Sequence, residues 1–452
     1  MDGGQPDLAA RSPWSAHSDK QKVTLNPPSE ALHGTVRIPG SKSLTNRALI
    51  IAALAEGRSQ IDGLLLSDDS YWCIAALKQL GVNITIEGET AYVDGCGGSW
   101  PISSGELYVG AAGTIARFLP GALAIGAGAW ALKGTKRLHE RPLAPLLHAL
   151  THLGATFEYE QAEHSLPLVL RANGLQGGTV LLPGSTSSQF ISGLLLAAPY
   201  AKAPITVRID GEVVQKDYVE MTLAMMAFFG AAPIASLDTD DPCITIPTGK
   251  YEARSIALEP DVSTCCYFWA LAALTAGRIR TEGIDASNTS QPDIAMLGVL
   301  EQMGCTIVRD ETFVEVQGAE RLKGGFTVSM QKWSDQTLTL AVLAIFADGP
   351  ITLKDAAHIR HHECDRIAAI CQELGKLGID VLEFEDGLTV FPSKPQAALL
   401  NSHDDHRMAM ALSLIGSKVA NLQISDPGCV SKTNPHYFEQ LAALGFQIND
   451  YM

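Results

Sequence analysis

The chain has 452 residues, 46% of them hydrophobic, which is enough for about three domains with sizeable cores. Its formal net charge of −16 argues against nucleic acid as a partner and makes basic residues inside Gly/Ser motifs informative. Nine scattered cysteines without Cys-x-x-Cys spacing read as reduced thiols of a cytoplasmic protein, and no uninterrupted apolar run has membrane length.

Residues 1–21 carry Gly, Pro, Ser and acids without a secretory apolar core and are expected to form a disordered tail. Gly40-Ser41-Lys42-Ser43-Leu44-Thr45-Asn46-Arg47 then runs straight into an apolar stretch from Ala48 to Ala55. A Gly-Ser turn that opens a helix leaves unpaired N–H groups and a partial positive charge at its start. Lys42 and Arg47 add to that charge, so this end reads as an anion receptor.

The device recurs. After the helix expected over 44–54, nearly all-apolar helices are expected over 114–125, 189–198, 264–275, 337–346 and 406–415. A helix apolar all round is buried. Their starts hold Ser, Thr, Asp or Gly, and capping alone accounts for Ser263 and Thr337. Three starts also carry positive charge against the helix dipole: Lys42 with Arg47, Arg117, and Arg407. That placement points to a small ligand with several negative charges.

A second set of helices is amphipathic, and each closes on a large apolar residue followed by glycine. The pairs are Leu80-Gly81, Leu153-Gly154, Phe229-Gly230, Met303-Gly304, Leu377-Gly378 and Leu444-Gly445, with glycines 73, 76, 74, 74 and 67 residues apart. Glycine suits the left-handed position that ends a helix. A strand-like segment follows each one, so the chain reads as six copies of one unit.

The chain resembles the 3-phosphoshikimate 1-carboxyvinyltransferase (5-enolpyruvylshikimate-3-phosphate synthase) family over residues 22–445. The likeness rests on Gly-Ser-Lys-Ser-x-x-Asn-Arg at 40–47, Ala-Gly-Thr-x-x-Arg at 112–117 and Arg137-x-x-Glu-Arg-Pro142. It continues in Ser187-Ser188-Gln189, Gln291-x-Asp293, Glu363-x-Asp365-Arg366, Asp405-His406-Arg407-Met408-Ala409-Met410 and Asp426-Pro427-x-Cys429-x-x-Lys432-Thr433. It implies an α/β fold, a two-domain inside-out α/β barrel of six βαβαββ repeats, three per domain, with the active site in the interdomain cleft. The discontinuous domain would be 22–40 plus 259–452, and the continuous one 41–258.

The implied reaction transfers the enolpyruvyl group of phosphoenolpyruvate to the 5-hydroxyl of shikimate 3-phosphate by addition and elimination, without cofactor or metal, in a monomer. By resemblance, Asp335 is the base beside the 5-hydroxyl and Glu363 the acid near the methylene carbon. Lys42 touches phosphoenolpyruvate and shuttles a proton. Shikimate 3-phosphate would be held by Lys42, Ser43, Arg47, Ser187, Ser188, Gln189, Tyr218 and Asp335. Phosphoenolpyruvate would be held by Lys42, Gly113, Arg137, Gln189, His362, Arg366, Arg407 and Lys432. Gly113 goes with glyphosate sensitivity in the family. Arg117 would organise its loop, and Arg141 would be structural. The basic groups are expected to repel one another until anions bind.

The chain departs from the family at Ala111, usually Asn; at Gln215, often Ser; and at His362, often Lys. Two other readings compete, besides a non-enzymatic repeat scaffold, which would not need basic residues at buried helix starts. A UDP-N-acetylglucosamine enolpyruvyl transferase would open with Lys-Asn rather than Lys42-Ser43 and use a cysteine on a mobile loop. Here Cys96 and Cys305 lie in or beside strand-like segments, and Cys265-Cys266 lies in a buried helix. A metal protein could use His358, His361, His362 and Glu363, or His403 to His406, but the glutamate follows the second histidine, so the His-Glu-x-x-His pattern is absent.

Overall fold

The computed structural model describes Pro6–Asn449. The chain folds into two compact units, one made of the residues up to Pro39 with those from Glu259 onward, the other of Gly40–Leu258. Each unit contains three four-stranded sheets.

All six sheets share one pattern. In one of them Ser104–Tyr108 lies parallel to Ala127–Lys133, which pairs antiparallel with Leu168–Asn173, and that strand pairs antiparallel with Thr156–Tyr159. A parallel pair needs a crossover, and here the crossover is a buried helix, Gly113–Ala124. The helix expected at 44–54 spans Lys42–Leu54. Its later counterparts are Ser188–Leu195, Val262–Thr275, Thr337–Ile345 and His406–Ser413. Two of these stop early and tighten into 3-10 turns, Ala198–Tyr200 and Leu414–Ser417. In the first, Pro199 lacks the N–H that would continue the helix.

Close backbone approach explains two glycines. A Cβ on Gly193 would lie 2.2 Å from the Arg117 carbonyl oxygen, and one on Gly121 would lie 2.2 Å from that of Gly193. The helices Gly113–Ala124 and Ser188–Leu195 therefore touch backbone to backbone in the core of their unit. At the six repeat boundaries the closing glycines have φ of +92°, +104°, +94°, +100°, +78° and +100°, as the left-handed helix ends demand.

Three sheets recruit a strand from far away in sequence. Lys22–Asn26 lies between Leu422–Ser425 and Gln447–Asn449, antiparallel to both. His33–Val36 runs parallel to Arg278–Glu282, and Ser255–Ala257 runs parallel to Glu56–Asp62. Where the chain leaves and re-enters the first unit, the Asp261 N–H donates to the Pro39 carbonyl at 2.9 Å.

The disordered tail expected over 1–21 needs correction. Residues 1–5 lie outside the described residues, but the segment from Pro6 onward is docked. Asp7 caps a 3-10 turn at Leu8–Ala10 by accepting from the Ala9 N–H at 3.1 Å. Arg11 reaches the carboxylates of Asp404 at 3.3 Å and Asp426 at 2.7 Å, with its side chain only 8% exposed. The polar composition suggested a solvated segment. One arginine with two carboxylates to neutralise docks it instead.

Candidate functional site

In the first unit the cations and acids converge on Arg366, whose side chain is 1% exposed. It begins the helix Arg366–Lys376, and Asp365 caps that helix by accepting from the Ala368 N–H at 3.0 Å. Arg366 donates Nη1 to Asp335 Oδ1 at 2.8 Å and Nη2 to Glu363 Oε2 at 3.0 Å. It grips Asp405 through Nε at 2.7 Å and Nη2 at 3.2 Å. Burial opposes its charge, but the carboxylates of Asp405, Glu363 and Asp335 outweigh that and push its pKa up.

The other two cations complete the network. Arg407 Nη2 meets Asp335 Oδ2 at 2.8 Å, and Lys432 Nζ donates to Glu363 Oε1 at 2.6 Å. Asp335 is thus shared by two arginines, and Glu363 by an arginine and a lysine. Within this unit each of Arg366, Arg407 and Lys432 is therefore paired with a carboxylate. Sequence reasoning missed Asp405 as the third carboxylate on Arg366. It reads as a plain helix cap, and it is one, accepting from the Arg407 N–H at 2.9 Å. Asp293 was also missed. It accepts from Ser263 Oγ at 2.6 Å, and burial, then the nearby Asp335 charge, push its carboxyl up.

His362 Nδ1 lies 3.2 Å from Arg366 Nη1. A guanidinium has only donors, so Nδ1 accepts and a neutral ring carries its proton on Nε2. His358 Nε2 shares a hydrogen bond with Ser334 Oγ at 2.7 Å, and its ring meets that of His362 edge-on. Burial pushes the His358 pKa down, Asp335 opposes this and Arg366 adds to it. The unfolded chain then takes up a proton that the folded chain refuses, so stability is full above the ordinary histidine value of about 6.5 and falls below it. His358→Gln is expected to flatten that fall by up to about 1.4 kcal/mol per pH unit. Thermal melts of both proteins between about pH 5 and pH 7.5 check this, and parallel curves would refute it.

In the second unit the centre is Arg47, on the helix Lys42–Leu54 and 2% exposed. It donates Nε to Thr222 Oγ1 at 2.7 Å, Nη1 to the Ser43 carbonyl at 2.9 Å and Nη2 to the Tyr218 carbonyl at 3.0 Å. Its guanidinium also sits 5.2 Å from the centre of the Phe118 ring. Among the described residues its partners are hydroxyls, carbonyls and rings, and burial lowers its pKa to about 10. Arg47 is thus the counterpart of Arg366 without the carboxylates.

Around it, Lys42 and Ser43 open the same helix. Ser187 caps the helix Ser188–Leu195, accepting from the Gln189 N–H at 3.2 Å, and Ser188 is buried. Gly113 is wedged against two arginines. An added Cβ would lie 2.5 Å from Arg141 Nη1 and 2.9 Å from Arg117 Nη1. Arg117 donates to the Gly113 carbonyl at 2.9 Å, which holds its loop. Arg137 lies on the short helix Lys136–Glu140, half-exposed and paired with Glu140 at 3.0 Å. Gln215, at a position where the chain departs from the family, takes left-handed backbone with φ +54° just before the helix Lys216–Phe228.

Three histidines of the competing metal reading have other partners: His358 meets Ser334, His362 meets Arg366, and His403 meets Glu373 at 2.8 Å. Among the described residues no group of three or more His, Cys, Asp and Glu is placed to hold a metal ion. All nine cysteines are free thiols, and burial pushes those of Cys96, Cys265, Cys266 and Cys305 up. No helix among the described residues is long and apolar enough to cross a membrane.

Comparison with known proteins identifies the family. The family model for EPSP synthase (3-phosphoshikimate 1-carboxyvinyltransferase) matches residues 27–441. A Halalkalibacterium halodurans protein named 3-phosphoshikimate 1-carboxyvinyltransferase 2 is 54% identical over 446 residues, 98% of this chain and 99% of that protein. The chloroplastic 3-phosphoshikimate 1-carboxyvinyltransferase of Arabidopsis thaliana is 40% identical, covering 96% of this chain and 86% of its own. A solved EPSP synthase from Acinetobacter baumannii superposes with a TM-score of 0.79 at 25% identity, covering 95% of this chain and all of that one. The fold, the motif order and these matches agree, and the chain belongs to the EPSP synthase family.

Proposed function

We infer that the protein joins phosphoenolpyruvate to the 5-hydroxyl of shikimate 3-phosphate, releasing phosphate through an addition–elimination sequence. The observation that carries this reading is the shared pairing of two acids with three cations. Asp335 and Glu363 occupy the donors of Arg366, Arg407 and Lys432. Phosphoenolpyruvate brings a phosphate and a carboxylate, which suit guanidinium forks better than one-point contacts do. Binding would exchange substrate anions for the two side chains. The cations would then hold the charge that develops on the transferring group, and Asp335 and Glu363 would be released for proton transfer.

Asp335 is the base for the 5-hydroxyl, Glu363 the acid at the methylene carbon, and Lys42 the proton shuttle on phosphoenolpyruvate. Arg47, buried without a carboxylate, takes a negative group of shikimate 3-phosphate, assisted by Lys42, Ser43, Ser187, Ser188, Gln189 and Tyr218. Gly113, Arg137, Gln189 and His362 complete the phosphoenolpyruvate contacts. Nine free thiols fit a cytoplasmic enzyme, and we assign it as a monomer.

Phosphate release is the test. It is expected only with both substrates present, and shikimate lacking the 3-phosphate should be a far poorer acceptor. Faster release with UDP-N-acetylglucosamine than with shikimate 3-phosphate would overturn the reading.

A further inference from the structure

The segment from Pro6 to Lys20 lies outside the 27–441 family match, yet it touches the two turns that deliver Arg407 and Lys432. We propose that Arg11 is a positioning residue for phosphoenolpyruvate binding: its guanidinium ties the turn before Arg407 to the turn before Lys432. This rests on the reading of those two cations given above.

The two turns have the same peculiarity. Asp404 lies two residues before the helix His406–Ser413, with φ +52°, and His403 beside it has φ +54°. Asp426 immediately precedes the 3-10 turn Pro427–Lys432, with φ +46°. Left-handed backbone is strained for residues with a Cβ and persists where the surroundings over-determine it. Arg11 Nη2 bonds both aspartates, at 3.3 and 2.7 Å.

The rest of the segment grips the same 3-10 turn. Ser431, next to Lys432, accepts from the Ala16 N–H at 2.9 Å and donates to the Ala16 carbonyl at 3.1 Å. The Asp426 N–H donates to the Gln21 carbonyl at 2.7 Å. A Cβ on Gly428 would lie 2.9 Å from the His17 carbonyl oxygen, so the two backbones are in contact. His17 in turn pairs with Glu439 at 2.8 Å.

Electrostatics gives Arg11 a role beyond packing. Burial pushes both carboxyls up, Asp426 to about 6, and the Arg11 charge opposes this at each. Asp404 feels the Lys432 charge as well, and Asp7 from the segment itself. The Cys429 thiol completes the group, facing Asp426, Arg11 and Asp404. Without Arg11, Asp404 would compete with Glu363 for Lys432, and the two aspartates would repel across the junction. Protonation would relieve this at low pH.

The experiment compares wild type, Arg11→Ala and Arg11→Lys in the full chain. Arg11→Ala is expected to raise the phosphoenolpyruvate KM about tenfold near neutral pH while the shikimate 3-phosphate KM moves less than about twofold. The defect should be smaller near about pH 6 than at about pH 8, and Arg11→Lys should recover most of it. A crystal structure of Arg11→Ala should show Lys432 Nζ withdrawn from its 2.6 Å contact with Glu363. If Arg11→Ala does not fold, Arg11→Gln takes its place in every measurement. An unmoved Lys432, an unchanged phosphoenolpyruvate KM, a loss independent of pH, or no rescue by lysine would each overturn the proposal. Absence of phosphate release by the wild type would instead sink the reading of the activity, and the Lys432 position would then decide the role of Arg11 alone.

Discussion

Arg366→Ala is expected to destabilise the protein by roughly 3–5 kcal/mol and to abolish measurable phosphate release. Arg366 is fully buried and touches three carboxylates, those of Asp335, Glu363 and Asp405. Removing it leaves Asp405, itself wholly buried, without its charge partner. Breaking one side of a buried ion pair costs far more than the pair contributes, because the remaining charge stays out of water. Lysine at this position keeps the charge but supplies a point donor where a fork serves three acids, so Arg366→Lys should recover only part of the stability. Urea unfolding of the three proteins measures this directly. A loss below about 1 kcal/mol for alanine would mean that the acids relax apart or take up protons freely.

Asp335→Asn should separate catalysis from binding. The amide has nearly the same shape but cannot take the proton of a hydroxyl. Loss of a general base costs about 10²–10⁴-fold in rate, and kcat is expected to fall by that factor. The phosphoenolpyruvate KM should hold or fall, because the Asp335 charge no longer occupies Arg366 Nη1 and Arg407 Nη2. A rise in KM with kcat preserved would show that Asp335 orients the arginines and moves no proton. Steady-state kinetics with both substrates varied distinguishes the two results.

Much of the fold could be read from residue order. The closing glycines from Gly81 to Gly445 mark helix ends because only a residue without a Cβ takes that backbone cheaply. The all-apolar helices were legible for the opposite reason, since a run such as Leu338 to Ile345 has no polar face to give to water. Within the candidate site, Glu363, Arg366, Arg407 and Lys432 stand in the motifs, Asp335 and His362 come from the family resemblance alone, and the structure brings all six into one network. What order alone did not show is which charge meets which. A cation beside a helix start predicts an anion, but the sequence does not say that the anion is a side chain some 30 residues away, as Asp335 is for Arg366. Arg11 was illegible for a related reason. Its partners Asp404 and Asp426 are close only after the chain has folded back on itself, and nothing in the composition around Pro6 to Lys20 announces that contact.

The strand Lys22–Asn26 has consequences during synthesis. Its partners begin at Leu422 and end at Asn449, so it leaves the ribosome long before anything exists for it to pair with. At roughly 5–20 residues per second that delay is on the order of 20–80 seconds. The residues from Gly40 to Leu258 meet a shorter delay, since their three sheets draw every strand from within that stretch and the longest wait is that of Glu56–Asp62 for Ser255–Ala257. The nascent chain would therefore carry an inserted unit that folds early behind a leading strand whose edges wait for the end of translation. An exposed strand edge invites pairing with the wrong chain. The polar residues that precede this strand, from Arg11 to Gln21, would keep the waiting end in water until the last strands arrive.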